Sequence, residues 1–307
     1  MGFLLVLKAE VVRTMIISRR YWFATVTALF VACIMFTGMF YGFLAGIGLG
    51  AGMAGIAIER ALGLIIGIFA FSMVGMFSTG LAGMARSGEL EQVYMSPHGL
   101  ITNFMARSTV STILSIVTWT LILSFMSASF TRAGANAAPA VNPTVHAAPD
   151  APVAAAPQTQ KTTTAAASVT GDGKLHADPL PVAVLFLLTY FSMTGFGFMI
   201  GGLMLVFKQV GQIAVLLRFA MIAVAWTASP ALYDQQTAVQ IIAHMIPVTD
   251  AAICLKLVLL KGIGNGVFTH TSFFCLIANV AIWTPIGLAC FKTMENWARS
   301  KGTLGAF

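Results

Sequence analysis

Four cysteines and five histidines are the side chains best suited to metal or nucleophilic chemistry, and their spacing along the chain does not organise them. Cys33, Cys254, Cys275 and Cys290 include no CxxC pair, so neither a zinc knuckle nor a thioredoxin-type dithiol is supported. Three of them fall in apolar runs and read as small buried hydrophobes. His98, His146, His176, His244 and His270 are isolated, with no HExxH string, and each reads as a surface or interface residue. No metal site is therefore expected. A Gly-x-Ser-x-Gly elbow is absent. The nearest approach to a phosphate-binding loop, Gly171-Asp172-Gly173-Lys174-Leu175, lacks the Ser/Thr that would hold magnesium. Gly50-Ala51-Gly52-Met53-Ala54-Gly55 matches GxGxxG but follows a long apolar run rather than a strand, so a dinucleotide site is not supported. The sequence offers no catalytic residue, and an enzyme is not expected.

The segment Arg86-Ser87-Gly88-Glu89-Leu90-Glu91-Gln92-Val93-Tyr94-Met95-Ser96-Pro97-His98-Gly99 carries a different signal. Its spacing predicts a short helix from about Gly88 to Met95, ended by Ser96-Pro97 because proline disfavours helix at the residue before it. Leu90, Val93 and Tyr94 share one face, with Glu89 and Gln92 beside it. That pattern describes an amphipathic plug suited to a protein partner, its apolar residues at the tip and its acids at the flanks.

Composition says what must position this plug. The chain of 307 residues is 58% hydrophobic and only 9% charged, and charges that scarce cannot cover a soluble domain of this size. Mean hydropathy is +0.88. A soluble enzyme, a nucleic-acid-binding module and a disordered regulator are excluded. Charge-free runs lie between Arg20 and Glu59, Arg60 and Arg86, Arg107 and Arg132, Asp178 and Lys208, and Lys261 and Lys292. Each is long enough to cross a bilayer core, which takes about 20 residues of helix. A weaker sixth span, roughly Ile213 to Tyr233, contains Arg218, which is expected to snorkel toward the inner end. The first run is read as one helix from about Tyr21 to Leu44 with a glycine-rich exit. Gly38, Gly42, Gly46 and Gly50 recur every four residues and are expected to form a closely packed face.

Six spans place both termini on one side. With the N terminus inside, the inner segments carry eleven basic and four acidic residues, whereas the outer segments carry six of each. This asymmetry predicts that both termini are cytoplasmic, and a cell's inner membrane is the expected location. Residues 1–20 read as a helix lying in the cytoplasmic interface, with Glu10, Arg13 and Thr14 on one side and Leu4, Val11, Val12, Met15 and Ile16 on the other. Residues 21–130 hold spans one to three, with the amphipathic plug near 86–99. Residues 131–180 contain 15 Ala, 7 Thr and 6 Pro but no Phe, Tyr, Trp, Ile or Met, so they cannot build a core and are expected to form a flexible outer loop. Residues 181–307 hold spans four to six, an outer region near 230–260 and the tail.

The plug resembles the G-x-LEQ-hhh-(S/T)-P stretch that forms the coupling helix of the permease subunits of type 2 ATP-binding cassette exporters. Ser229-Pro230 and Ile246-Pro247-Val248-Thr249 resemble that family's outer re-entrant region, and the tail Arg299-Ser300-Lys301-Gly302-Thr303-Leu304-Gly305 resembles its basic KGTLG ending. The resemblance spans nearly the whole chain apart from the 131–180 insert. It implies an all-α membrane protein of six transmembrane helices with an N-terminal interfacial elbow helix and short outer re-entrant helices. It further implies a homodimer in the lipid bilayer with two copies of a separate ATPase subunit. ATP and magnesium would be bound by that partner and not by this chain, and nucleic acid is not a partner. Gly88, Glu89, Leu90, Glu91, Gln92, Val93, Tyr94, Met95, Ser96 and Pro97 would couple to the ATPase, with Lys208 and Gln209 as a second contact.

The cargo is expected to be hydrophobic or amphipathic, a drug or antibiotic by family precedent, with Phe69, Met73, Phe77, Met221 and Trp226 as candidates to line its pathway. Export of a lipid or lipid-linked glycan is the alternative within the family. A secondary transporter or channel with no ATPase is the alternative outside it.

Overall fold

The computed structural model describes residues 2–46, 54–136, 178–207, 210–229 and 237–301. Every element among them is helical: α1 (Gly2–Arg20), α2 (Trp22–Gly46), α3 (Ala54–Arg86), α4 (Glu89–Met95), α5 (Gly99–Asn136), α6 (Pro179–Val206), α7 (Val210–Thr227), α8 (Thr237–Met245), α9 (Pro247–Lys261), a 3-10 turn (Gly264–Thr269) and α10 (Thr271–Ser300). Four stretches are long and apolar enough to cross a membrane: Glu59–Arg86, Gly99–Ile122, Pro179–Val206 and Thr271–Ser300. The chain is thus a multi-pass membrane protein. Two further apolar stretches, Trp22–Met35 and Gly211–Thr227, are shorter.

One boundary departs from the sequence reading. Helix α5 continues to Asn136, past the expected loop boundary near 130, because Ala133 and Ala135 favour helix even where the apolar run has stopped. The last helix begins at Thr271, inside the charge-free run between Lys261 and Lys292. Gly262 takes a left-handed conformation (φ 61°) that ends α9, and the 3-10 turn intervenes. Most of the Ala/Pro/Thr-rich insert (137–177), the glycine-rich exit (47–53) and the tail beyond Lys301 lie outside the described residues.

Helices α6 and α10 pack backbone to backbone. A Cβ built at Gly195 would sit 2.5 Å from the Trp283 carbonyl oxygen, and one at Gly287 would overlap the Gly195 carbonyl. The backbones meet because neither residue has a side chain, as at close membrane helix crossings. Gly63 and Gly67 play the same part for α3 against α7, facing Ala225 and Ile222. The expected glycine face on α2 is different: Gly38 is exposed, with no atom within 4 Å of the position its Cβ would take. Period-four glycines suit packing, but a lipid-facing stripe tolerates them equally. The surroundings of Gly42, Gly46 and Gly50 lie outside the described residues.

Helix α9 is enclosed by α3, α6, α7 and α10, and Pro247 through Val258 are buried without a break. Pro247 opens it at a position that needs no N–H donor. Enclosure leaves two ionisable side chains, Asp250 and Lys256, inside the protein. The Lys256 ammonium donates to the carbonyl of Ala228 and to those of Ala225 (3.3 Å) and Trp226 (3.4 Å) at the C-terminal end of α7. Arg60 donates to the Trp226 carbonyl as well, at 3.1 Å. Two cations thus meet the negative end of the α7 dipole, where unpaired carbonyls collect.

Candidate functional site

Two glycines fold the 86–99 segment into a cap between α3 and α5. Ser87 continues the α3 hydrogen bonding (N–H to Gly83 carbonyl, 3.0 Å), and Gly88 at φ 73° then turns the chain into α4. A left-handed residue that steep suits glycine. Ser96, in extended conformation, ends α4, and Asn103 of α5 donates to the Ser96 hydroxyl (3.2 Å) and the Gly99 carbonyl (2.8 Å). The cap is fixed to both flanking helices at its ends.

The orientation of α4 reverses the expectation for its apolar face. Leu90 is 1% exposed and packs with Leu81, Met84, Leu100, Phe104 and Ala298, while Val93 and Tyr94 are half-buried against the same cluster. The Arg299 guanidinium lies 4.9 Å from the Tyr94 ring centroid and pairs with Glu295 at 2.6 Å. Burial and the Glu295 carboxylate push the Tyr94 phenol up to about 12, so it stays neutral. Leu90, Val93 and Tyr94 therefore fasten the helix to its own bundle rather than forming an outward tip. The outward face is Glu91, Gln92, Met95 and Pro97, with Met95 89% exposed.

Glu89 is a junction. Its Oε1 accepts from Arg13 of α1 at 3.1 Å and pairs with Arg107 of α5 at 3.6 Å. Arg13 also reaches Glu10 at 3.6 Å. Helices α1, α4 and α5 are thereby joined through one carboxylate. Sequence reasoning placed Arg13 and Glu89 on the same side of the membrane but contained no signal that they touch.

Directly behind α4, an aromatic cluster links four helices. Phe77 of α3 lies 4.8 Å from Phe198 of α6 and 6.1 Å from Phe104 of α5, and Phe198 lies 5.2 Å from Phe291 of α10. Displacing α4 through Leu90 must act on this cluster, since close-packed interiors transmit strain.

Of the candidate pathway residues, Phe69, Met73, Phe77 and Met221 are buried in the helix-packed interior, and Trp226 is half-buried at the end of α7. Arg218 is held against α3. Its Nε donates to the Phe71 carbonyl of α3 at 3.0 Å, and its guanidinium covers the Phe71 ring at 3.8 Å. Gly75 leaves the room it occupies. Lys208 and Gln209 lie outside the described residues. No family model matches the chain, and neither a curated protein nor a solved structure shows significant similarity to it.

Proposed function

We propose that the chain is the transmembrane permease subunit of an ATP-driven exporter, moving a hydrophobic or amphipathic cargo out of the cytoplasm. The reading is carried by α4. It is a seven-residue helix held at the α3–α5 turn, fastened inward by Leu90, Val93 and Tyr94 and presenting Glu91, Gln92, Met95 and Pro97 outward. It suits a lever on which a soluble motor acts, because its inward face meets the aromatic cluster shared by four helices.

In this reading α2 and α7 complete six spans, and both termini are cytoplasmic. Helix α1 lies in the interface. It buries no residue, it turns Glu10 and Thr14 toward the bundle, and it leaves Leu4, Met15 and Ile16 outward. The α8–α9 pair forms the outer re-entrant region. Fifteen residues of α9 extend about 22 Å, short of a bilayer core of about 30 Å. Two chains and two ATPase subunits assemble. ATP binding by the partners moves α4 and converts the pathway from inward- to outward-facing. Drug or antibiotic export is the favoured cargo class, and lipid or lipid-linked glycan export the alternative.

The test is purification from the native membrane followed by reconstitution. A stoichiometric soluble ATPase that co-purifies, and transport that stops without ATP, support the proposal. Transport that persists without nucleotide but collapses with an ion gradient would replace it with secondary transport.

A further inference from the structure

His244, Asp250 and Cys275 are separate in the sequence and adjacent in space. His244 comes from the last turn of α8, Asp250 from the first turn of α9 and Cys275 from the beginning of α10. One donor atom from each, a ring nitrogen, a carboxylate oxygen and a thiol sulfur, lie within 4.8 Å of one another. We propose that these three side chains form a divalent transition-metal site for which zinc is the best-suited ion.

The donor set supports this. Nitrogen, oxygen and sulfur donors together fit a borderline-soft cation such as zinc rather than magnesium or calcium, which take oxygen. Zinc bonds of about 2.0–2.3 Å in a tetrahedron place donors about 3–4 Å apart, so His244 Nδ1 and Asp250 Oδ1, at 2.7 Å, need to open by about 1 Å or less while the Cys275 sulfur closes by no more than about 2 Å, through side-chain rotation.

The surroundings support it as well. The Asp250 side chain is 0% exposed, and a fully buried carboxylate demands compensation by charge or hydrogen bonds. Asn279 supplies part of that: its Nδ2 donates to Asp250 Oδ2 at 3.0 Å and to the His244 carbonyl at 2.9 Å. This holds one carboxylate oxygen and leaves Oδ1 beside His244 Nδ1, at 2.7 Å. An outer donor that fixes a ligating carboxylate is a regular part of metal sites. Asn279 stands four residues after Cys275, so α10 presents both on one face. Three protein ligands leave a fourth position for water or a further donor.

Bound metal would clamp the α8–α9 pair to the start of α10. Cys275 and Arg299 are 24 residues apart on that helix, about 36 Å, so the clamp and the α4 cap lie at opposite ends of one rod.

Tag-free protein, dialysed against chelator in detergent, is titrated with cobalt and then with zinc. Wild type should bind one cobalt per chain with a thiolate-to-cobalt charge-transfer band, which zinc displaces. Cys275→Ser should abolish the band and weaken zinc binding at least about tenfold, Asn279→Ala should weaken it about tenfold, and Cys290→Ser should match wild type. Zinc should also raise the wild-type melting temperature and fail to raise that of Cys275→Ser. No band from wild type, or a band that survives Cys275→Ser, overturns the proposal and leaves a metal-free hydrogen-bonded latch.

Discussion

Arg13 and Glu89, 76 residues apart, meet at 3.1 Å and bind the first helix of the chain to the α4 cap. The contact is partly exposed, so its worth lies in position more than in energy. Exposed pairs contribute roughly 0–1 kcal/mol. Glu89→Gln should lower stability by no more than about 1 kcal/mol while loosening α1, seen as faster amide exchange across residues 2–20. Arg13→Gln, which removes the other half of the contact, should loosen α1 likewise. Unchanged exchange in Glu89→Gln would show that α1 is held by other contacts.

The two faces of α4 should separate by mutation. Tyr94→Ala removes a ring packed under Arg299 and beside Leu90, and should destabilise the folded chain by about 1–3 kcal/mol. Met95→Asp alters a side chain that touches little of its own protein. It should leave the melting temperature unchanged and weaken capture of the ATPase about tenfold or more, with Glu91→Ala weakening coupling of hydrolysis to transport. Size-exclusion co-elution and thermal melts, read together, decide this. A Met95→Asp variant that binds like wild type removes α4 as the docking surface.

The limits of α4 were legible because they are set locally, by Gly88 at one end and Ser96-Pro97 at the other. Its orientation was not. An apolar stripe of Leu90, Val93 and Tyr94 serves equally to dock a partner or to anchor to the parent bundle, and periodicity is the same for both. The partners of Arg218 were hidden for a related reason: packing of its guanidinium against Phe71 depends on Gly75, which lies 143 residues away in the sequence. The membrane class was legible because bilayer length and apolarity are properties of single segments. The His244, Asp250 and Cys275 grouping was invisible, since metal-spacing rules read ligands along one element and these come from three.

Glycine substitutions should now distinguish packed from lipid-facing positions. Gly195→Leu forces a side chain into the Trp283 backbone, where overpacking costs about 1–3 kcal/mol or more, and folded yield in mild detergent should fall. Gly38→Leu meets open space and should match wild type in yield and melting temperature. Equal behaviour of the two variants would contradict the α6–α10 crossing.

Lys256 gives the remaining test, because its ammonium caps the α7 carbonyls of Ala225, Trp226 and Ala228 from within the protein. Lys256→Met keeps the aliphatic stem but leaves buried acceptors without a donor, and should cost about 1–3 kcal/mol. Arg60→Ala should cost less, since the Trp226 carbonyl keeps its contact with Lys256. Burial lowers the Lys256 amine to about 8, with Glu59 opposing and Arg60 lowering it further. Between about pH 8 and the ordinary 10.5, the unfolded chain holds a proton that the folded chain has released. Stability must therefore rise with pH across that window, and the cost of burying the charge is present in full below it. Melting curves from pH 7 to pH 10 should show the advantage of wild type over Lys256→Met widening as pH rises. If the advantage narrows instead, the charged amine is what the α7 end requires, and burial does not dominate at this site.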